Sequence, residues 1–304
     1  MSVPVSEMMA HEATPERILR RLDWQVIRRL DGLLQGDYRT LFYGDGLDFA
    51  DLREYQLADD IRHIDWNVTA RMNQLHVREY VEDREITAWF LLDLSPSMGF
   101  GPTDRPKELV LIDLVTTLAR LLTRSGNRVG GILYNNQAVR TIPPHGGRNQ
   151  VLRLTHELLR ESDTRSKTTT DLGVLLSAGL NTFQRRSLVF VISDFMSEPG
   201  WQRPLSLLNR RHELIGIRLW DAREVELPNA GVIVVEDAET GEQIFVDTSN
   251  PDFRRRFAQV AAERESGLKE DLRRAGVDLY AMSTEEDLVD AIVRMASLRK
   301  KRRR

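Results

Sequence analysis

Over residues 15–34 apolar side chains recur at helical spacing. Ile18, Leu19, Leu22, Val26, Ile27, Leu30 and Leu33 share one stripe, and Gly36 offers a stop. The pattern is that of an amphipathic helix. The stretch that follows, to residue 85, is dense in charge yet carries Phe49, Tyr55, Ile61, Ile64 and Trp66, too many large apolar groups for a disordered linker. It predicts loops and short elements leading into a long strand near 75–81.

From residue 86 onward, short apolar runs alternate with amphipathic ones. Residues 86–93, ITAWFLLD, are almost continuously apolar, the pattern of a strand buried on both faces. Pro106 and Gly126 bracket a helix. Residues 128–135 predict a strand, and 138–144 a short edge strand stopped by Pro143 and Pro144. Helices are predicted over 149–162, 170–183 and 201–210, and strands over 187–195 and 213–221. Residues 231–247 alternate around a Gly-containing turn and predict an inserted hairpin. Asn250 and Pro251 suit the N-cap and first position of a helix that ends near Gly276, with Phe253, Phe257, Val260, Leu268 and Leu272 expected in the core. A strand over 278–283 and a helix over 285–301 finish the pattern. Strands alternating with helices argue for an α/β fold, a doubly wound and mainly parallel sheet, with an N-terminal helical/β extension and an inserted β-hairpin. The expected division is 1–85, 86–298 and a basic tail over 299–304.

Composition narrows the function classes. The chain has 304 residues, 41% apolar and 29% charged, as in ordinary globular proteins. The net charge of −3 predicts no polyanion partner, and no nucleic acid is expected. The six residues Arg299 to Arg304 are all basic, and removing them would take the net charge to −9. They read as the solvated end of the last helix, with a salt-sensitive docking strip for an acidic surface as the functional alternative. There is no cysteine, which excludes disulfides and thiolate metal sites. The N-terminus has no apolar signal-peptide core, and the clean apolar runs, such as Leu188 to Ile192, are far too short to span a bilayer, so no transmembrane segment and a cytoplasmic location are expected.

Two of the apolar strands end in aspartate, Asp93 and Asp194. In open α/β sheets, sites form beyond the carboxyl ends of strands where the strand order reverses. Ser95 and Ser97 follow Asp93 at alternate positions, and one of Thr168, Thr169 and Thr170 would add a hydroxyl at the same edge. An all-oxygen donor set suits a hard cation, Mg²⁺, with Mn²⁺ or Ca²⁺ as alternatives. Neutral hydroxyls leave the ion much of its charge and one face open for an acidic group from another molecule. Asp171 reads as a helix N-terminal carboxylate, and the six histidines show no ligand spacing.

The set Asp-x-Ser-x-Ser, a later Thr-Asp and a strand ending in Asp resembles the metal-ion-dependent adhesion site of von Willebrand factor A-type domains. By position the match is Asp93, Ser95, Ser97, Thr170 and Asp194. Upstream, Phe49, Arg53, Tyr55, Asp59, Asp60, Arg62, Ile64, Asp65, Trp66, Ala70, Arg71, Arg78 and Glu79 resemble the signature of the bacterial domain of unknown function 58, over roughly residues 35–290. Ala58 stands where that family often has glycine, and the N-terminal membrane spans of many relatives have no counterpart here. For Arg53, Asp60, Arg62, Asp65 and Trp66 the expectation is a structural ion-pair network packed on the tryptophan.

The resemblance implies a non-catalytic, metal-dependent protein-interaction module. Its partners would be a MoxR-type AAA+ ATPase and a client protein that donates an acidic ligand. The competing class is a metal-dependent phosphohydrolase or nuclease. Aspartyl-phosphate chemistry needs a second carboxylate two residues after the first, and Ser95 stands there. No G-x-x-x-x-G-K-[ST] loop is present, so ATP hydrolysis would belong to the partner.

Overall fold

The computed structural model describes residues 14–34, 52–56, 61, 64, 66–72, 74–78, 86–102, 104–136, 139–162, 169–238 and 240–302. Gly36, Phe49, Asp59, Asp60, Arg62, Asp65, Glu79, Thr168, Arg303 and Arg304, singled out above, lie outside them. Helix α1 (Pro15–Leu22) starts at Thr14, whose hydroxyl accepts from the Arg17 N–H. One π turn, Asp23–Ile27, then carries the chain into α2 (Arg28–Leu34). Leu19, Leu22, Ile27 and Leu30 are buried in the same core as the central sheet, while Leu33 faces solvent. This helix therefore packs as part of the sheet domain.

Strands β1 (Leu52–Glu54) and β2 (His76–Arg78) pair antiparallel on either side of α3 (Trp66–Met72) in the chain. The long strand expected near 75–81 spans three residues within the described part. Trp66 is 67% exposed, so it does not form the packed centre of the expected ion-pair network.

The remaining elements build the sheet and its cover. In order they are β3 (Thr87–Asp93), α4 (Lys107–Arg124), β4 (Arg128–Tyr134), β5 (Val139–His145), α5 (Arg148–Ser162), α6 (Leu172–Thr182), β6 (Leu188–Ser193), α7 (Gln202–Arg211) and β7 (Glu213–Trp220). The hairpin β8 (Val232–Glu236) and β9 (Gln243–Asp247) follows, then α8 (Pro251–Ala275), β10 (Asp278–Ser283) and α9 (Leu288–Arg302). The strand order is β10-β7-β6-β3-β4-β5, parallel except for β5 at one edge. This is the doubly wound, mainly parallel sheet that the alternation of runs predicts, and the inserted hairpin is present. The chain winds from β3 outward to β5, then returns to the other side of β3 with β6. The order therefore reverses between β3 and β6.

Strand periodicity sorts the core into two layers. Phe90 pairs with Phe190 in register and the rings stack at 5.1 Å, on the face covered by α1, α2, α4, α5 and α9. Trp89, Leu91, Val189 and Val191 point the other way, toward α6, α7 and the end of α8. Each fully buried side chain of this size contributes about 1.5–3 kcal/mol.

Three further expectations need correction. The edge strand β5 runs through Pro143 and Pro144 to His145, because a missing N–H is tolerated at an edge, and Gln150 bonds the Pro143 carbonyl at 2.9 Å. Helix α8 begins and ends as expected, with Asn250 accepting from the Asp252 and Phe253 N–H groups and Gly276 at φ 70°. However, Phe253 is 37% and Val260 55% exposed, and only the C-terminal half of the helix, through Leu268 and Leu272, reaches the core. Finally, α9 continues to Arg302, and Arg299 is 4% exposed and ion-paired with Glu213. Arg299 is thus a buried anchor, and the solvated tail does not begin there.

Candidate metal centre

The carboxyl edge at the β3–β6 reversal is organised around hydroxyl groups. Asp93 closes β3, and its Oδ1 accepts from the Ser95 N–H at 2.9 Å. Its Oδ2 accepts from the Ser193 hydroxyl, at the end of β6, at 2.6 Å. The same Ser193 oxygen accepts from the Phe195 N–H at 2.8 Å. Phe195 stands at φ 58°, a left-handed conformation unfavourable for a phenylalanine, held by this bond and by packing on Trp201. That turn aims Asp194 back toward β3. Pro96 opens a 3-10 turn, Pro96–Gly99, that brings the Ser95 and Ser97 hydroxyl oxygens to 3.1 Å from each other.

Thr170 arrives from a third segment, just before α6, and is 1% exposed. Its hydroxyl oxygen accepts from Asn136 Nδ2 at 3.0 Å. Asn136 follows β4 in a left-handed conformation, φ 68°, which asparagine tolerates. Asp171 is the N-cap of α6, accepting from the Gly173 N–H at 2.8 Å, as expected. Thr169 is exposed, so Thr170 is the buried hydroxyl of the two.

Charge at this edge is concentrated and buried. Asp93 and Ser95 are fully buried, Asp194 is 2% and Ser97 8% exposed. Of the set, Ser97 is the most exposed, and Phe100 beside it in the chain is 43% exposed. Burial, reinforced by the neighbouring Asp194 charge, pushes the Asp93 carboxyl up to about 6, against the hydrogen bonds from Ser193 and Ser95. Lys107, the first residue of α4, is 0% exposed. Its ammonium donates to Asp194 Oδ2 at 2.6 Å and to Glu224 Oε1. Burial pulls the Lys107 pKa down, yet the two carboxylates outweigh it and hold it above the usual lysine value. Glu224 is raised, because burial exceeds the attraction of Lys107.

Asp93, Ser95, Ser97, Thr170 and Asp194 are thus brought to one edge from three chain segments. Two carboxylates and three hydroxyls make an all-oxygen set. Adjacent ligands on an octahedral ion with bonds of about 2.1 Å lie about 3 Å apart, and the Ser95–Ser97 oxygen separation of 3.1 Å matches. Among the described residues no three His, Cys, Asp or Glu side chains group as a metal site would need. An ion here would depend on the hydroxyls, and the residues fit a hard cation on those terms.

Sequence reasoning missed Lys107, Asn136, Ser193 and Glu224. One signal was available for Lys107. A lysine in the first turn of a helix opposes the helix dipole, so it calls for a carboxylate partner.

Comparison with known proteins comes to the following. Residues 51–267 match the family described as protein of unknown function DUF58. An uncharacterized protein of Mycobacterium tuberculosis is 34% identical over 289 residues, covering 93% of this chain and 89% of the relative. A protein of Mycobacterium bovis matches over the same lengths at the same identity. Among solved structures, the conserved hypothetical protein BatB from Bacteroides thetaiotaomicron superposes with a TM-score of 0.45 at 16% identity, over 71% of this chain and 99% of that one. The VWA domain of SpRpn10 does so with a TM-score of 0.36 at 12% identity, over 69% and 94%.

Proposed function

The chain belongs to the DUF58 family of proteins of unknown function, and from that premise we propose that the carboxyl edge of its sheet is a divalent-cation-dependent docking site for another protein. What supports this reading is that β3 ends in Asp93 with Ser95 and Ser97 behind it, that Ser193 before Asp194 at the end of β6 bonds Asp93, and that Thr170 is tied to Ser197 just beyond β6. Bound there, Mg²⁺ or Mn²⁺ would supply a Lewis-acidic position for a carboxylate of the partner. Ser95, Ser97 and Thr170 would hold it through neutral oxygens, and Asp93 would supply charge. Phe100, exposed and next to this loop in the chain, would offer the partner an apolar contact.

The module is non-catalytic in this reading. Ser95 occupies the position at which phosphoaspartate chemistry would need a second carboxylate. The partner is a MoxR-type AAA+ ATPase acting with a client protein, as the family resemblance implies. The setting is the cytoplasm. Among the described residues no helix is long and apolar enough to cross a membrane.

The test is capture of the MoxR-type ATPase encoded in the same genome, using the full chain as bait, in Mg²⁺ and in chelator. Capture in Mg²⁺, lost in chelator and lost with Asp93→Ala, is expected. Capture that is indifferent to both would refute cation-dependent docking.

A further inference from the structure

Lys107 is a fully buried cation inside the cluster that the proposed ion would share. Besides Asp194 and Glu224, its ammonium has the Phe100 ring centre at 5.9 Å. A buried ammonium persists only where carboxylates compensate for lost hydration. Here the second carboxylate is built in deliberately. Glu224 Oε2 accepts from the Asp221 N–H at 3.3 Å, and Asp221 accepts from the Arg223 N–H at 2.9 Å. The other Asp221 oxygen accepts from the Thr284 hydroxyl at 2.5 Å, which ties the turn after β7 to the end of β10. A second buried cation near this edge, Arg218, is ion-paired with Glu265 and feels Glu224 and Asp194 only through their charge, without a hydrogen bond to either among the described residues. Two carboxylates, Asp194 and Glu224, therefore hold the ammonium, and Asp93 lies close enough to Asp194 to feel its charge.

We propose that Lys107 is a resident cation that claims Asp194 and Glu224, so that a divalent ion at the serine and threonine hydroxyls draws on Asp93 as its main uncompensated charge and is held weakly and exchangeably. The inference rests on the cation reading above. Lys107 is a positioning residue in this scheme: it fixes the Asp194 carboxylate and adds a like charge beside the ion, both of which lower the ion's affinity. It also offsets part of the cluster's negative charge without a divalent ion, so the fold at this edge does not depend on metal. Retention of the ion would then follow partner binding, because a partner carboxylate replaces the charge that Asp194 gives to Lys107.

The experiment uses Mn²⁺ and Mg²⁺ as probes, titrated calorimetrically into the wild-type chain, Lys107→Met and the double variant Lys107→Met/Glu224→Gln. Thermal melts in chelator and in each ion accompany the titrations. Methionine keeps the length of the side chain and removes the charge. We expect Mn²⁺ to bind Lys107→Met at least tenfold more tightly than wild type. The melting temperature of Lys107→Met should become dependent on the ion, while that of wild type stays nearly independent of it. If Lys107→Met fails to fold, the double variant, which removes one charge of each sign, carries the same affinity comparison. Ion binding by the variants equal to or weaker than wild type would overturn the role given to Lys107 and leave the docking reading in place. No ion binding by wild type or by any variant would overturn both.

Discussion

Each end of the central sheet buries a cation from the end of a helix, and the two are partnered differently. At the amino edge, Arg299 in the last turn of α9 meets Glu213, the first residue of β7. A cation there is favoured by the helix dipole, and its guanidinium pairs with the Glu213 carboxylate. At the carboxyl edge, Lys107 opens α4, where the dipole disfavours it, and it meets two carboxylates with Asp93 nearby. At the amino edge the buried cation and its carboxylate are of opposite sign and equal number in the pair described. The carboxyl edge carries excess negative charge under burial, which makes it the place for an exchangeable cation.

The largest expected effect comes from breaking the carboxyl-edge pair. In chelator, Lys107→Met should lose about 3–5 kcal/mol in urea unfolding, the usual cost of leaving buried charge unpaired, and Mg²⁺ should restore part of it. Equal loss with and without Mg²⁺ would make the two ends alike.

Asp93→Asn tests the excess charge directly. The Asp93 carboxyl titrates at about 6 in the fold against 3.8 ordinarily. The folded chain thus holds that proton more tightly than the unfolded chain, and stability is lost as pH rises from 4 through 6. In chelator at pH 7–8, Asp93→Asn should therefore be more stable than wild type, by at most about 3 kcal/mol. The gain should fade below pH 4. Urea melts across pH would show a flat difference if Asp93 were unperturbed.

Arg299→Met should cost on the order of 2 kcal/mol, less than the lysine because the Glu213 side chain is 29% exposed. Mg²⁺ should not change that figure, and thermal melts in both buffers would check it. Deleting 299–304 should destabilise by a similar amount, where a solvated tail would leave the melting temperature unmoved. Lys301→Ala, an exposed neighbour on the same helix, should stay within about 0.5 kcal/mol of wild type. A larger loss there would mean that the basic run acts as a unit.

Periodicity made the sheet legible because β3, β6 and their neighbours are buried on both faces, and a buried strand has to be apolar throughout. The end-of-strand aspartates with their hydroxyls were legible for the same reason, since polar groups stand out where an apolar run stops. Lys107 was not. Its partners lie 87 and 117 residues away in the chain, and no local pattern reports a contact made by the fold. Arg299 was hidden in a basic run that looks uniform although its members differ in burial. On α8 the apolar spacing continues through Phe253 and Val260, but the helix extends past the sheet it packs on. A sequence shows which face of a helix is apolar, and where the covering layer ends is set by tertiary packing.

The most direct measurement is a Mn²⁺ titration of the purified chain followed by electron paramagnetic resonance, run beside Asp93→Ala. Loss of the free-ion signal that saturates at about one Mn²⁺ per chain, absent in the variant, is the predicted result. An undiminished free-ion signal with wild type, or the same saturation with Asp93→Ala, would contradict a cation site at the β3–β6 edge.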